Sequence, residues 1–352
     1  MSQNQKGMTT GLRERVLLVA ALCITSACIP ARAQGHTRTL NVYIDGLHRD
    51  GGFNGNILVV EKGKLVLQRA VGDADASRAV KLDLDDRFQI GSIAKEFDSV
   101  GLLMLKQEGK LNLTDSLGKF FPDLPPWAAR ITVDELLHYT SGLQKPDFSK
   151  VHSDAENWEA IRAQRDLVFA PGTQYSYNNN DVFLRRRIIE KVSGMSFADF
   201  VSKRELLAAG IHDAVMDPGE GTPRLAKAFS ADGKQDKLDA PISGWLSLSL
   251  ADLLKWSRCI QNFCLITPES TRLIATTAAP DRQSGLGTVE MHGDTLVRHV
   301  HDGTLLHYRA MLWVDASKDR TILILGNQRA DVYAISAVIE GILDGNSNEA
   351  AL

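Results

Sequence analysis

Phe88-Gln89-Ile90-Gly91-Ser92-Ile93-Ala94-Lys95 runs a strand end into a helix start and puts a serine and a lysine at their junction. A helix is expected from about Ile93 to Glu108, because Phe97, Val100, Leu103 and Met104 recur at helical spacing. Gly109 is its expected stop. Side chains three residues apart share a helix face, so the Ser92 hydroxyl and the Lys95 amine come together. The N-terminus of a helix favours negative charge developing there. A neutral or proton-sharing lysine beside a hydroxyl turns it into a nucleophile. The spacing alone decides little, since Ser116-Leu117-Gly118-Lys119 repeats it.

Strand character dominates on both sides of this region. Asn56-Ile57-Leu58-Val59-Val60, the turn Glu61-Lys62-Gly63-Lys64 and Leu65-Val66-Leu67 read as a hairpin within 53–71. Thr295 to Val300, Tyr308 to Val314 and Thr321 to Leu325 are β-rich, and Asp331 to Leu343 closes as an apolar helix. Between them the chain is helical with loops. Thr132-Val133-Asp134-Glu135 is a capping box, Ile131 and Leu136 form a hydrophobic staple, and Gly142 is the expected end of that helix. Asp181 to Val192 and Ala251 to Ile260 carry helical apolar patterns. A strands–helices–strands order predicts one α/β (α+β) unit whose first and last segments share a sheet. The α/β lobe spans about 40–115 plus 285–350, and a mostly helical lobe of about 116–284 is inserted into it.

Two further clusters carry chemistry. Tyr177-Asn178-Asn179 lies in a loop rich in Tyr and Asn after Phe169-Ala170-Pro171-Gly172-Thr173. A phenol near a cation has its pKa lowered and works as a base, and the Asn amide both donates and accepts. The plain alternative is a turn in which Tyr packs and Asn takes left-handed conformations. His301-Asp302-Gly303-Thr304 falls at a strand edge, where Gly303 admits a substrate backbone and the Thr304 amide pairs with that of Ser92 as an oxyanion hole. The plain alternative there is a strand end with a solvated histidine.

Composition sets the outer limits. The 352 residues are 44% hydrophobic and 24% charged, which excludes a disordered or fibrous chain. A net charge of −3 offers no basic excess for nucleic acid or an anionic membrane. Residues 1–33 read as a signal peptide: Lys6, Arg13 and Arg15, then an apolar run from Val16 to Cys28, then Ala31-Arg32-Ala33. That run falls short of the roughly 20 residues of a membrane-spanning helix. Cleavage after Ala33 is expected, with a lipoprotein site at Cys28 as the second reading, so the mature chain is expected to be periplasmic or secreted. Removing the leader takes four basic residues and one acid, leaving a more acidic chain with two cysteines, Cys259 and Cys264. Their C-x4-C spacing fits either a local disulfide or two unlinked thiols, and is not zinc spacing. His292, His299, His301 and His307 lie close together, with His299 and His301 on one strand face, but no matching ligand set follows for a metal. These histidines read as loop or strand-surface residues.

Taken in order, S-x-x-K, Y-x-N and H-x-G resemble the serine β-lactamase and penicillin-binding-protein superfamily, on the class C-like branch. The surroundings agree: Phe88 to Gly91, Leu136 to Leu143, Phe169 to Asn179, and Ser243-Gly244-Trp245 to Asp252-Leu253 are similar to segments of that family. The likeness spans roughly 53–330 and selects Ser92 over Ser116. It implies an antiparallel sheet flanked by helices, no cofactor, and a small-molecule or peptide substrate. It further implies an acyl-enzyme on Ser92, with Lys95 and Tyr177 relaying the proton and Tyr177 as base. Asn179 then orients substrate and Lys95, His301 and Gly303 line the strand beside the substrate, and the Ser92 and Thr304 amides hold the oxyanion. The sequence departs from the family where it lacks K-T-G, having His301-Asp302-Gly303 instead. That favours an esterase, D-aminopeptidase or DD-peptidase-like hydrolase over a class C-like β-lactamase. A non-catalytic peptidoglycan or ligand sensor is the remaining alternative. His307 stands where the family often has Gly, and Tyr139 where it has His.

Overall fold

The computed structural model describes residues 31–276 and 282–346. The expected leader falls outside them except for its last three positions, which open helix α1 (Ala31–Arg49). The hairpin forms as β1 (Gly55–Glu61) and β2 (Lys64–Val71). A two-residue strand, β3 (Phe88–Gln89), runs into a 3-10 turn over Gly91–Ala94 and then helix α2 (Lys95–Gln107). The α-helix therefore begins at Lys95, later than the Ile93 its apolar spacing suggested, and Ser92 lies in the 3-10 turn before it.

The capping box on α3 (Val133–Leu137) forms as read: Thr132 accepts from the Glu135 amide, and the Glu135 carboxylate accepts from the Thr132 amide. The helix does not reach Gly142, however. It stops at Leu137, and Tyr139 takes a left-handed φ of 56° in the turn that follows. Helix α4 (Asn179–Ser193) packs across α2, and its N-cap Asn178 accepts from the Asn180 amide at 2.9 Å. The short strands β4 (Val215–Met216) and β5 (Leu246–Leu248) join β3 in a small sheet of order β3-β5-β4. Helix α5 (Leu250–Gln261) follows. Cys259 in its last turn is joined as a disulfide to Cys264 just beyond it, with their Cα atoms 5.1 Å apart.

The last segment supplies β6 (Thr288–His292), β7 (Thr295–Leu305), β8 (Tyr308–Asp315), β9 (Arg320–Gly326) and helix α6 (Val332–Asp344). These strands and the first hairpin make one antiparallel sheet of order β2-β1-β9-β8-β7-β6. Sheet alternation explains the two cores. Ile57, Val59, Ile322 and Ile324 face Leu40 of α1 and Ile335 and Ile339 of α6. Leu58, Val60, Leu323 and Leu325 face α2 and the helical lobe. Each fully buried aliphatic side chain contributes about 1.5–3 kcal/mol.

Helix α2 is covered all round, not on one stripe: Lys95, Glu96, Asp98 and Ser99 are buried along with its apolar residues. Buried polar groups cost free energy unless they are partnered. Their partners build the site.

Candidate active site

Two glycines bring the site together. Gly91 has φ +53°, and a Cβ on it would stand 2.5 Å from the Thr304 amide nitrogen. A Cβ on Gly303 would stand 1.9 Å from the Ile90 carbonyl oxygen. Only hydrogen in place of Cβ lets the turn carrying Ser92 press on β7. The close approach expected of Gly303 is thus made to the chain's own backbone. Beyond Val300, the last partner of β6, this edge of the strand has no strand partner among the described residues. Thr304 lines the cavity there, together with Ser92.

The Ser92 hydroxyl sits between two groups. Lys95 Nζ is 2.9 Å from Ser92 Oγ, and the Tyr177 hydroxyl donates to the same oxygen at 2.9 Å. Lys95 Nζ also lies 5.2 Å from the centroid of the Tyr177 ring and 5.1 Å from that of Trp245. Burial, reinforced by the Arg186 guanidinium, lowers the Lys95 ammonium to about 7. Burial raises the Tyr177 phenol to about 12, against the hydrogen bond to Ser92 and the charge of Arg185. The expected cation-lowered phenol is not what the packing gives: desolvation outweighs the cations at Tyr177, and the amine of Lys95 is the group shifted down. Ser116, by contrast, stands at the N-cap position of a short helix without a side-chain capping bond, and Lys119 is spent on Asp115 at 2.8 Å.

The remaining candidates divide. Asn179 reaches the cavity, but its side-chain oxygen has no partner and makes no bond to Lys95. His301 does not line the cavity. It is buried at 2% exposure, and its Nδ1 donates to Glu96 Oε1 at 2.7 Å. His299 Nε2 donates to the same oxygen at 2.9 Å, and Trp256 Nε1 to Oε2 at 2.6 Å. Burial works against the Glu96 carboxylate, but the His299 charge and the two imidazole hydrogen bonds outweigh it and hold it at about 2. These histidines are therefore interior ties between α2 and β7, not strand-surface residues, because an ionised buried carboxylate needs donors. His307 is tied to Asp236 through its amide at 2.9 Å and its Nδ1 at 2.8 Å, and Leu306 faces the cavity instead. Among the described residues no group of three or more His, Cys, Asp or Glu is placed to hold a metal ion.

A buried charge cluster below Lys95 escaped the sequence reading. Arg185 Nε lies 2.6 Å from Asp98 Oδ1 and Arg186 Nε 3.4 Å from Asp98 Oδ2, all three side chains being fully buried. Arg185 also donates to the Tyr139 hydroxyl, whose ring packs 4.7 Å from that of Tyr177. Tyr139 thus backs the Tyr177 ring. The signal available in the sequence was the i, i+3 relation of Lys95 and Asp98 on one helix face. The arginine run reads as an ordinary solvated face.

The profile of the family described as Beta-lactamase matches residues 42–337. Penicillin-binding protein 4* of Bacillus subtilis (strain 168) is 30% identical over 191 residues, covering 51% of this chain and 40% of that protein. The chain spans between 40 and 60% of the length of the curated relatives it matches. A penicillin-binding protein from Bacillus halodurans superposes with a TM-score of 0.75 at 18% identity, over 86% of this chain and 98% of that one. A class C beta-lactamase gives 0.75 at 18% identity, over 92% and 99%. At such identities these two structures speak to the fold alone.

Proposed function

Since the chain belongs to the beta-lactamase family over most of its length, we propose that it is a serine hydrolase working through an acyl-enzyme on Ser92. The observation that carries this is the Ser92 hydroxyl held at 2.9 Å from both Lys95 Nζ and the Tyr177 hydroxyl. Ser92 Oγ attacks the carbonyl carbon of an ester or amide while its proton passes to Lys95. The backbone amides of Ser92 and Thr304 receive the oxyanion. Tyr177, which keeps its proton up to about 12, donates to the leaving group, and its proton is restored from Lys95. Water then releases the acyl group by the reverse of these transfers. No cofactor enters the scheme.

The substrate is proposed to be an ester, an amide or a D-amino-acid peptide rather than a β-lactam, because His301-Asp302-Gly303 replaces the lysine-bearing segment. The catalytic unit is proposed to be residues 34–352 after export. No helix among the described residues is long and apolar enough to cross a membrane.

A fluorophosphonate probe is expected to label the wild type and not Ser92→Ala. A p-nitrophenyl ester or a D-amino-acid anilide is expected to turn over faster than nitrocefin. Labelling that survives the substitution would remove the assignment. No labelling by any acylating probe would leave the sensor reading, and efficient nitrocefin hydrolysis the β-lactamase one.

A further inference from the structure

The cavity above Ser92 has a volume of about 890 Å³ and a lopsided charge. Lys95 is the one lysine or arginine among the described residues that line it, and its amine is already engaged with Ser92 Oγ. Three aspartates stand on the walls: Asp154, Asp217 and Asp239. Two of them are committed to the frame. Asp154 accepts from the Ser243 amide at 2.8 Å, with Arg187 3.6 Å away on its other side. Asp217 accepts from the amides of Gly244 at 2.7 Å and Trp245 at 2.9 Å, near the Arg186 charge. Asp239 is exposed and has no ion-pair partner among the described residues, so it is the charge an entering ligand meets.

A second, independent feature points to what the cavity takes. Gln89 is 3% exposed and Trp245 7%, and both line the cavity. The Gln89 Oε1 acceptor and the Trp245 Nε1 donor are buried with no hydrogen-bond partner. Orphaned buried groups of this kind cost free energy until something satisfies them. An unpartnered donor on one lining residue and an unpartnered acceptor on another complement a neutral group that has both, such as an amide. A carboxylate has acceptors only, so it satisfies one of the pair and faces the other. It would also give up its hydration with no unengaged lysine or arginine among the described lining residues to receive it. At the mouth, Phe148, Leu238 and Leu306 offer apolar surface.

Resting on the serine-hydrolase reading above, we infer that the Ser92 cavity selects carboxylate-free acyl donors. The preferred donor has an apolar end and carries an amide-like group read by Trp245 and Gln89. Trp245 and Gln89 are then specificity-determining residues, and Asp239 repels anionic substrates.

Three p-nitrophenyl esters test this with a constant leaving group: the pentanoate, the hemiglutarate, and the ester of N-acetylglycine. The hemiglutarate should show kcat/KM lower than the pentanoate by roughly tenfold or more, with a gap that narrows in high salt as exposed charge is screened. Asp239→Lys should narrow the gap further. The N-acetylglycyl ester should be preferred over the pentanoate, after correction for its own spontaneous hydrolysis. Trp245→Phe, which keeps a ring against Lys95 but removes the N–H, should erase that preference. Equal or reversed pentanoate and hemiglutarate rates, with Ser92→Ala inactive, would overturn the substrate class and leave the hydrolase standing. An N-acetylglycyl preference unchanged in Trp245→Phe would overturn the role of the indole. Turnover of none of the esters above the Ser92→Ala background would overturn the hydrolase reading and this inference with it.

Discussion

Two residues compete for the role of base, and their environments separate them. Lys95 is lowered to about 7 by burial and the Arg186 charge, whereas Tyr177 is raised to about 12 by burial. A base must be deprotonated to act. Activity on a neutral ester should therefore rise with pH through a single ionisation near 7, the step at which Lys95 becomes neutral, and Tyr177 should add no alkaline fall below pH 10. Tyr177→Phe should lower kcat by about 10²–10⁴ fold, the usual worth of a positioned proton donor, while the acid limb stays where it was. Stopped-flow kcat/KM profiles of the two proteins make the comparison. If the limb near 7 disappeared in Tyr177→Phe, the phenol would be the base and the assignment of Lys95 would fall. The sequence suggested the reverse order because it shows which charges are near but not how dry a site is. Burial is a property of the packing around α2, and it is the largest cause of both shifts.

At the level of elements, the site exists because a turn and a strand touch without side chains between them. Gly91 and Gly303 supply that contact. Gly303→Ala places a methyl group 1.9 Å from the Ile90 carbonyl, so β7 or the Ser92 turn must give way. A displacement of the order of 1 Å in a catalytic frame costs about 10²-fold in rate. We expect kcat/KM on the pentanoate ester to fall by that order, accompanied by a stability loss of about 1–3 kcal/mol. Thermal melts and kinetics on one preparation check both, and an active, unshifted Gly303→Ala would mean the contact is slack. The elements themselves were legible: the hairpin, the capping box, the closing helix and the strand runs follow from period and turn chemistry. What His301 and Gly303 touch was not. The histidine meets Glu96 across 205 residues of sequence, and a local pattern carries no record of a partner that distant.

Over the whole molecule, the pairing of β1 with β9 joins the first hairpin and the last strands in one open sheet, and the helical segment lies between them in sequence. That order was readable as strands, helices, strands. The ionisable groups it buries were not, because Asn179 to Ser193 reads as a helix with three successive arginines and an acidic first turn. Asp181 in that turn is fully buried. Burial raises its carboxyl to about 8, against the hydrogen bond from Ser141 and the charge of Arg185. An unfolded Asp has a pKa of about 3.9, so between roughly pH 4 and 8 the folded chain holds a proton that the unfolded chain releases. The folded state binds more protons in that window, and stability must fall as pH rises through it. Asp181→Asn cannot ionise and keeps the neutral shape. It should resemble the wild type near pH 4 and exceed it increasingly toward pH 8, by up to about 1.4 kcal/mol for each pH unit between. Urea unfolding at the two pH values measures the difference directly. Stability curves that run parallel for the two proteins from pH 5 to 8 would show that Asp181 is ionised throughout. In that case the Arg185 charge would outweigh burial at the N-terminus of α4.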